Sequence, residues 1–235
     1  MLAGHYATAL IAKQKAPAGS LPFYLIMSQL PDLFWLVFHF LGLEHTEPRN
    51  VLDVSLDNLS VNMMFSHDLL PIVIWMVLAF FLGKGIFKSN RVGWTALLLI
   101  AVHAFVDYVG GYPHNIFGTD TLSVGTGLYY SMPYLGVFLE LLFTIGILLW
   151  FFRNEMRAKI ARTKRSRNWI IGIFTFNILF LFSIADLSTR EFLHQMNIDI
   201  TTDFSVPTTM PILIIMYALY IYLINSYGKI LGNLN

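Results

Sequence analysis

His103 and Asp107, in AVHAFVDYVGG, stand four residues apart, so on a helix their side chains project from one face, one above the other. An imidazole and a carboxylate at that spacing can chelate one divalent ion, or hydrogen-bond each other within the helix. Other ionisable groups have equally apolar surroundings: Asp32 in SQLPDLFW, His67 and Asp68 in FSHDLL, and Glu140 in VFLELLF. His5, in GHYATAL, joins them if its segment is a helix folded onto the rest. Such groups inside apolar spans cost about 2.5–3.5 kcal/mol at a helix centre, so they usually face a protein interior and have a task. Asp32, His67, His103 and Asp107 offer two imidazoles and two carboxylates at comparable depth, the donor set of Zn²⁺ or a similar divalent ion, with Mn²⁺ the alternative. The chain has no cysteine, which removes thiolate ligands and disulfides.

The neighbours of these residues suggest supporting roles. Pro31 lacks a backbone donor and is expected to break or kink its helix, turning Asp32 inward. Asp68 follows His67 directly; on a helix it points about 100° away and suits the orientation of a neighbour rather than the same ion. Glu140 is open to three roles: a further ligand, a catalytic proton acceptor or the partner of a buried histidine. His114, in the glycine-rich segment GGYPHNIFG, is expected to be a solvated loop residue or to stand at the mouth of a site. His39, His45 and His194 read as interfacial or loop residues, and Tyr129, Tyr130 and Tyr134 as an outer aromatic belt.

The elements that must position these groups are membrane spans. Of 235 residues, 56% are hydrophobic and 12% charged, and the mean hydropathy is +0.63. That balance argues against a water-soluble fold. Apolar runs near 21–42, 62–83, 92–111, 128–152, 168–186 and 208–226 approach the roughly 20 residues that cross a bilayer as a helix. The fold class expected is an all-α polytopic helix bundle of about six spans, in one domain covering 1–235. Basic residues cluster in alternate connections: Lys13 and Lys15, then Lys84, Lys88 and Arg91, seven more between 153 and 167, and Lys229, together 13 of the 15. The positive-inside rule then places both termini in the cytoplasm. A net charge of +1 without a basic aromatic patch speaks against nucleic acid and leaves membrane lipids as the expected surroundings.

The set GHYATAL, LPDL, FSHDLL and HAFVD resembles the predicted membrane-bound metal-dependent hydrolases of bacteria, over about the first 145 residues. Residues 146–235 add two spans outside the resemblance. That family is similar in ligand order to the zinc-dependent phospholipase C and S1-type nuclease group, all-helical phosphoester hydrolases. The resemblance implies a bacterial inner-membrane protein in which Asp32, His67, His103 and Asp107 form one metal site, with Asp107 also reaching a second ion bound by His5. Three features depart from the pattern: no His-Arg precedes FSHDLL, Phe34 replaces the second acid after Leu-Pro-Asp, and a second His-x-x-x-Glu pair is missing. These weigh against a three-metal centre.

The resulting expectation is hydrolysis of an ester or phosphoester in a lipid or lipid-linked substrate by metal-activated water, with Asp32 as proton acceptor and Glu140 as the second catalytic candidate. A transporter or proton relay through His67, His103, Asp107 and Glu140 would instead need a ladder across the bilayer. A non-catalytic scaffold would hold the ion in a closed shell.

Overall fold

A computed structural model describes residues 2–228, so Lys229 lies outside the described residues. The chain is mostly helical, and five helices are long and apolar enough to cross a membrane: Leu69–Phe87 (α4), Asn90–Gly110 (α5), Pro133–Arg157 (α7), Lys164–Ser183 (α8) and Thr209–Gly228, the greater part of Val206–Gly228 (α10). A sixth crossing results if Leu21–Ser28 (α2) and Leu30–Phe40 (α3) count as one span bent by 62°. The outward face of α4, with Val73, Ile74, Val77, Phe81 and Leu82, is exposed and apolar throughout, as a helix able to cross a membrane requires.

The break between α2 and α3 follows from Pro31. Without an N–H it cannot continue the hydrogen-bond ladder of α2, and Pro is tolerated only in a first turn, where α3 places it. Asp32 consequently sits in the first turn of α3, where the helix dipole favours a carboxylate.

The aminoterminal helix Leu2–Lys15 (α1) is buried from Ala3 to Ala12 and packs against α2, α5, α7 and α8. Its small residues allow this: a Cβ on Gly4 would come within 2.6 Å of the Phe143 ring. His5 is thereby carried into the bundle centre. Helices α4 and α5 form a tight antiparallel pair in which a Cβ on Gly93 would lie 2.6 Å from the Phe80 carbonyl oxygen, so the two backbones touch.

Two short antiparallel hairpins supplement the helices among the described residues. His45–Glu47 (β1) pairs with Ser60–Asn62 (β2), and His114–Asn115 (β3) with Ser123–Val124 (β4). The four-residue helix Leu128–Ser131 (α6) precedes α7, and Thr189–Gln195 (α9) lies between α8 and α10.

The second span differs from the run read in the sequence. It begins at Leu69, with Asp68 as N-cap and Pro71 in the first turn, so His67 and Asp68 lie in the turn before the helix rather than on it. The residues Met63, Met64 and Phe65 extend the apolar run without extending the helix.

Candidate metal centre

Four side chains from three places meet at one point: Asp32 from the start of α3, His67 from the turn before α4, and His103 and Asp107 from α5. One ligand atom from each lies within 4.8 Å of all the others, and three of the four residues are buried. His67 Nε2 is 3.2 Å from Asp32 Oδ1 and 3.4 Å from His103 Nε2, while His103 Nε2 is 3.1 Å from Asp107 Oδ2. The diagonal separations are 3.8 Å and 3.9 Å. Four donors bound tetrahedrally at about 2.0–2.2 Å lie roughly 3.3–3.5 Å from one another. The observed spacings bracket that value, and this buried group can hold a metal ion.

The tautomers point the same way. In a continuous helix the Ser28 carbonyl would accept from the amide of Asp32; the break before α3 frees it, and it lies 2.8 Å from His103 Nδ1. A carbonyl only accepts, so Nδ1 carries a proton and, in the neutral ring, the Nε2 lone pair faces the cluster. His67 is held similarly. The Ser66 hydroxyl donates to Glu44 Oε2 at 2.9 Å and accepts from His67 Nδ1 at 2.8 Å, again leaving Nε2 as a lone pair. Glu44 Oε1 also accepts from the amides of Phe65 and Ser66, both at 2.8 Å. Burial raises the Glu44 carboxyl pKa, and the donors from Ser66 and Phe65 pull against that rise.

His5 lies beside this group. Its ring stacks on His103 with centroids 3.7 Å apart, and its Nε2 is 3.1 Å from Asp107 Oδ1. Asp107 thus turns Oδ2 to the four-residue group and Oδ1 to His5, as a bridging carboxylate would. Glu140 is fully buried but is not one of the four; Oε1 accepts from the Ala3 amide at 2.8 Å and Oε2 from the Tyr129 hydroxyl at 3.0 Å. These bonds anchor the start of α1 to α7 and so set where His5 stands. Tyr129 is accordingly buried rather than part of an aromatic belt, whereas Tyr134 is half exposed with its hydroxyl on Asp186.

No family model, curated protein or solved structure matches this chain. The functional reading therefore stands on the geometry of the chain itself.

Several expected placements change. Asp68 holds a neighbouring segment rather than the cluster itself: its two oxygens accept from the amides of Asn115 and Gly118, at 2.9 Å and 2.6 Å, and so pin the β3–β4 loop. That loop carries His114, which is 5% exposed rather than solvated, its ring lying against those of His67 and Tyr108. Burial, followed by the proximity of His67, lowers the His114 pKa to about 3, so its ring is neutral. His39 is buried in α3, while His45 is exposed on β1 and His194 on α9.

Other contributors carry no local signal. Tyr217, on α10, donates to Asp32 Oδ2 at 3.3 Å, and its carbonyl accepts from Tyr6 on α1. Tyr108, one residue after Asp107, donates to the His67 carbonyl at 2.9 Å. Ser66 adjoins His67 in the sequence, whereas Glu44 lies 22 residues before Ser66 and meets it only in the fold.

Proposed function

We propose that this protein is a membrane-embedded, metal-dependent hydrolase that cleaves an ester or phosphoester of a lipid or lipid-linked substrate. The observation carrying the proposal is the convergence of two imidazole lone pairs and two carboxylates with both imidazole tautomers fixed from behind. A relay or a simple hydrogen-bonded knot does not require two Nε2 atoms to face each other at 3.4 Å.

Asp32, His67, His103 and Asp107 would hold a divalent ion, Zn²⁺ by the two-nitrogen, two-oxygen donor set, with Mn²⁺ the alternative. Such an ion supplies Lewis acidity toward a water and toward the ester oxygen. Asp32 is the more accessible carboxylate, its side chain 15% exposed against 8% for Asp107. It is therefore the group placed to take a proton from water, with Tyr217 holding its other oxygen in place. His5 fixes the orientation of Asp107, and Glu140 acts on the site by holding α1.

The cluster lies toward the end of the bundle carrying the two hairpins, opposite the basic connections. With basic residues on the cytoplasmic side, as the positive-inside rule favours, this supports both termini inside and a site toward the outer leaflet of a bacterial inner membrane. The resemblance to the bacterial membrane-bound hydrolases agrees with this reading in the order of its motifs.

Elemental analysis of the detergent-purified protein, paired with release of product from phospholipids and lipid-linked phosphates, tests the proposal. At least one equivalent of zinc or manganese and measurable hydrolysis are expected, both lost in His103→Ala/Asp107→Ala. Hydrolysis that survives this double change would overturn it, as would an absence of metal after incubation with the ions.

A further inference from the structure

A pocket of about 220 Å³ opens between the β1–β2 hairpin and the His114 loop, lined among others by Thr46, Ser60, Asn62, His114, Asn115 and Thr119. Liquid water occupies about 30 Å³ per molecule, so the space suits one small polar group rather than a chain. His114 forms its inner wall. That side chain is buried, makes no hydrogen bond among the described residues, and stands with its ring 5.4 Å from that of His67. An imidazole without a hydrogen-bond partner among the described residues, facing a polar pocket on one side and a candidate metal ligand on the other, is open to hydrogen-bond whatever occupies the pocket.

The lining specifies the chemistry of that occupant. Hydroxyl, amide and imidazole side chains make up seven of the twelve lining residues, and no Lys or Arg is among them. The two acids on the wall are already engaged: Asp68 by the amides of Asn115 and Gly118, and Glu47 by Arg49 at 3.0 Å. An anion would meet no counter-charge here, whereas a group with several hydroxyls would find both donors and acceptors.

We propose that this pocket is the subsite for a neutral, hydroxyl-rich headgroup of the sugar or glycerol kind, with His114 contacting it between the pocket and the metal centre. Its purpose rests on the hydrolase reading: the headgroup sits in the pocket while the bond to be cut reaches past His114 toward His67. Its detection does not depend on that reading.

The test uses the full chain in phosphatidylcholine nanodiscs and saturation-transfer NMR. Methyl glycosides form one arm, reporting a sugar-bearing substrate; glycerol forms the other, reporting a glycerol headgroup; inorganic phosphate is the competitor. Transfer to one of the first two is expected, insensitive to phosphate. It should weaken about fivefold in His114→Phe, which retains a flat ring, and in Asn62→Leu at an exposed hairpin position, each removing about one neutral hydrogen bond. No transfer from any probe, equal transfer in both variants, or displacement by phosphate would overturn the subsite. Specific binding by a protein that hydrolyses nothing would sink the hydrolase reading and leave the subsite standing. Hydrolysis indifferent to headgroup, with KM unchanged in Asn62→Leu, would do the reverse.

Discussion

Two buried polar knots lie at opposite ends of this bundle, and they are built on opposite principles. Near the basic end, Arg162 places its donors on Glu155 Oε1 and Oε2 at 2.6 and 2.9 Å, on Ser166 Oγ, and on the carbonyls of Tyr227 and Gly228. Both side chains of that ion pair are less than a tenth exposed, and every charge meets its opposite. At the other end His67 Nε2, His103 Nε2 and the carboxylates of Asp32 and Asp107 turn acceptors toward acceptors. The first knot is complete from its own residues; the second is a buried group that could bind a metal ion. Burial alone therefore does not distinguish the two. The kind of group each turns inward does.

The largest effect should come from removing an acceptor at the second knot. Asp107→Ala should abolish metal binding, read as loss of the metal by elemental analysis and as loss of the rise in melting temperature on adding Zn²⁺. If Asp107→Ala retains a full equivalent, the contrast collapses. Glu155→Ala should instead leave Arg162 buried without its carboxylate, costing about 3–5 kcal/mol by thermal unfolding in detergent while the folded fraction keeps its metal. Ser66→Ala removes the group that fixes the His67 tautomer, and metal affinity should fall about 10–100-fold in a competition titration with a chelator. Tyr217→Phe should have the smallest effect, about 1 kcal/mol or a few-fold in affinity, since it deletes one long hydrogen bond to Asp32. An effect of Tyr217→Phe as large as that of Ser66→Ala would show that α10 is as much a part of the site as the turn before α4.

The two knots also differ in how far they could be read from the chain. His103 and Asp107 were legible because one helix sets their relation, and Asp32 because Pro31 announces a helix start. The apolar runs located the candidate spans to within about five residues, except before α4, where Met63 to Phe65 read as span and fold as turn. Glu44 and Tyr217 were not legible as parts of the site, because they reach it through folding of distant segments, with Tyr217 lying 185 residues from Asp32, and the role of Ser66, although it adjoins His67, depends on Glu44. Of the two readings of His114, the solvated one fails for a related reason, because glycines around it signal a loop whose burial depends on Asp68 pinning it from another part of the chain, and its place beside His67 fits the other. The Arg162–Glu155 pair, seven residues apart across the end of a helix, was hidden within a basic run that reads as an ordinary membrane flank.

The bend between α2 and α3 has a consequence for the lipid. At 1.5 Å per residue these helices rise about 12 and 16 Å, and a 62° bend leaves a combined reach of about 20 Å along the axis of α2. A bilayer's hydrocarbon core is about 30 Å thick. If α2 and α3 together make one span, hydrophobic mismatch is built into the wall of the bundle beside Asp32, and the membrane there would thin or the neighbouring segments would cover the shortfall.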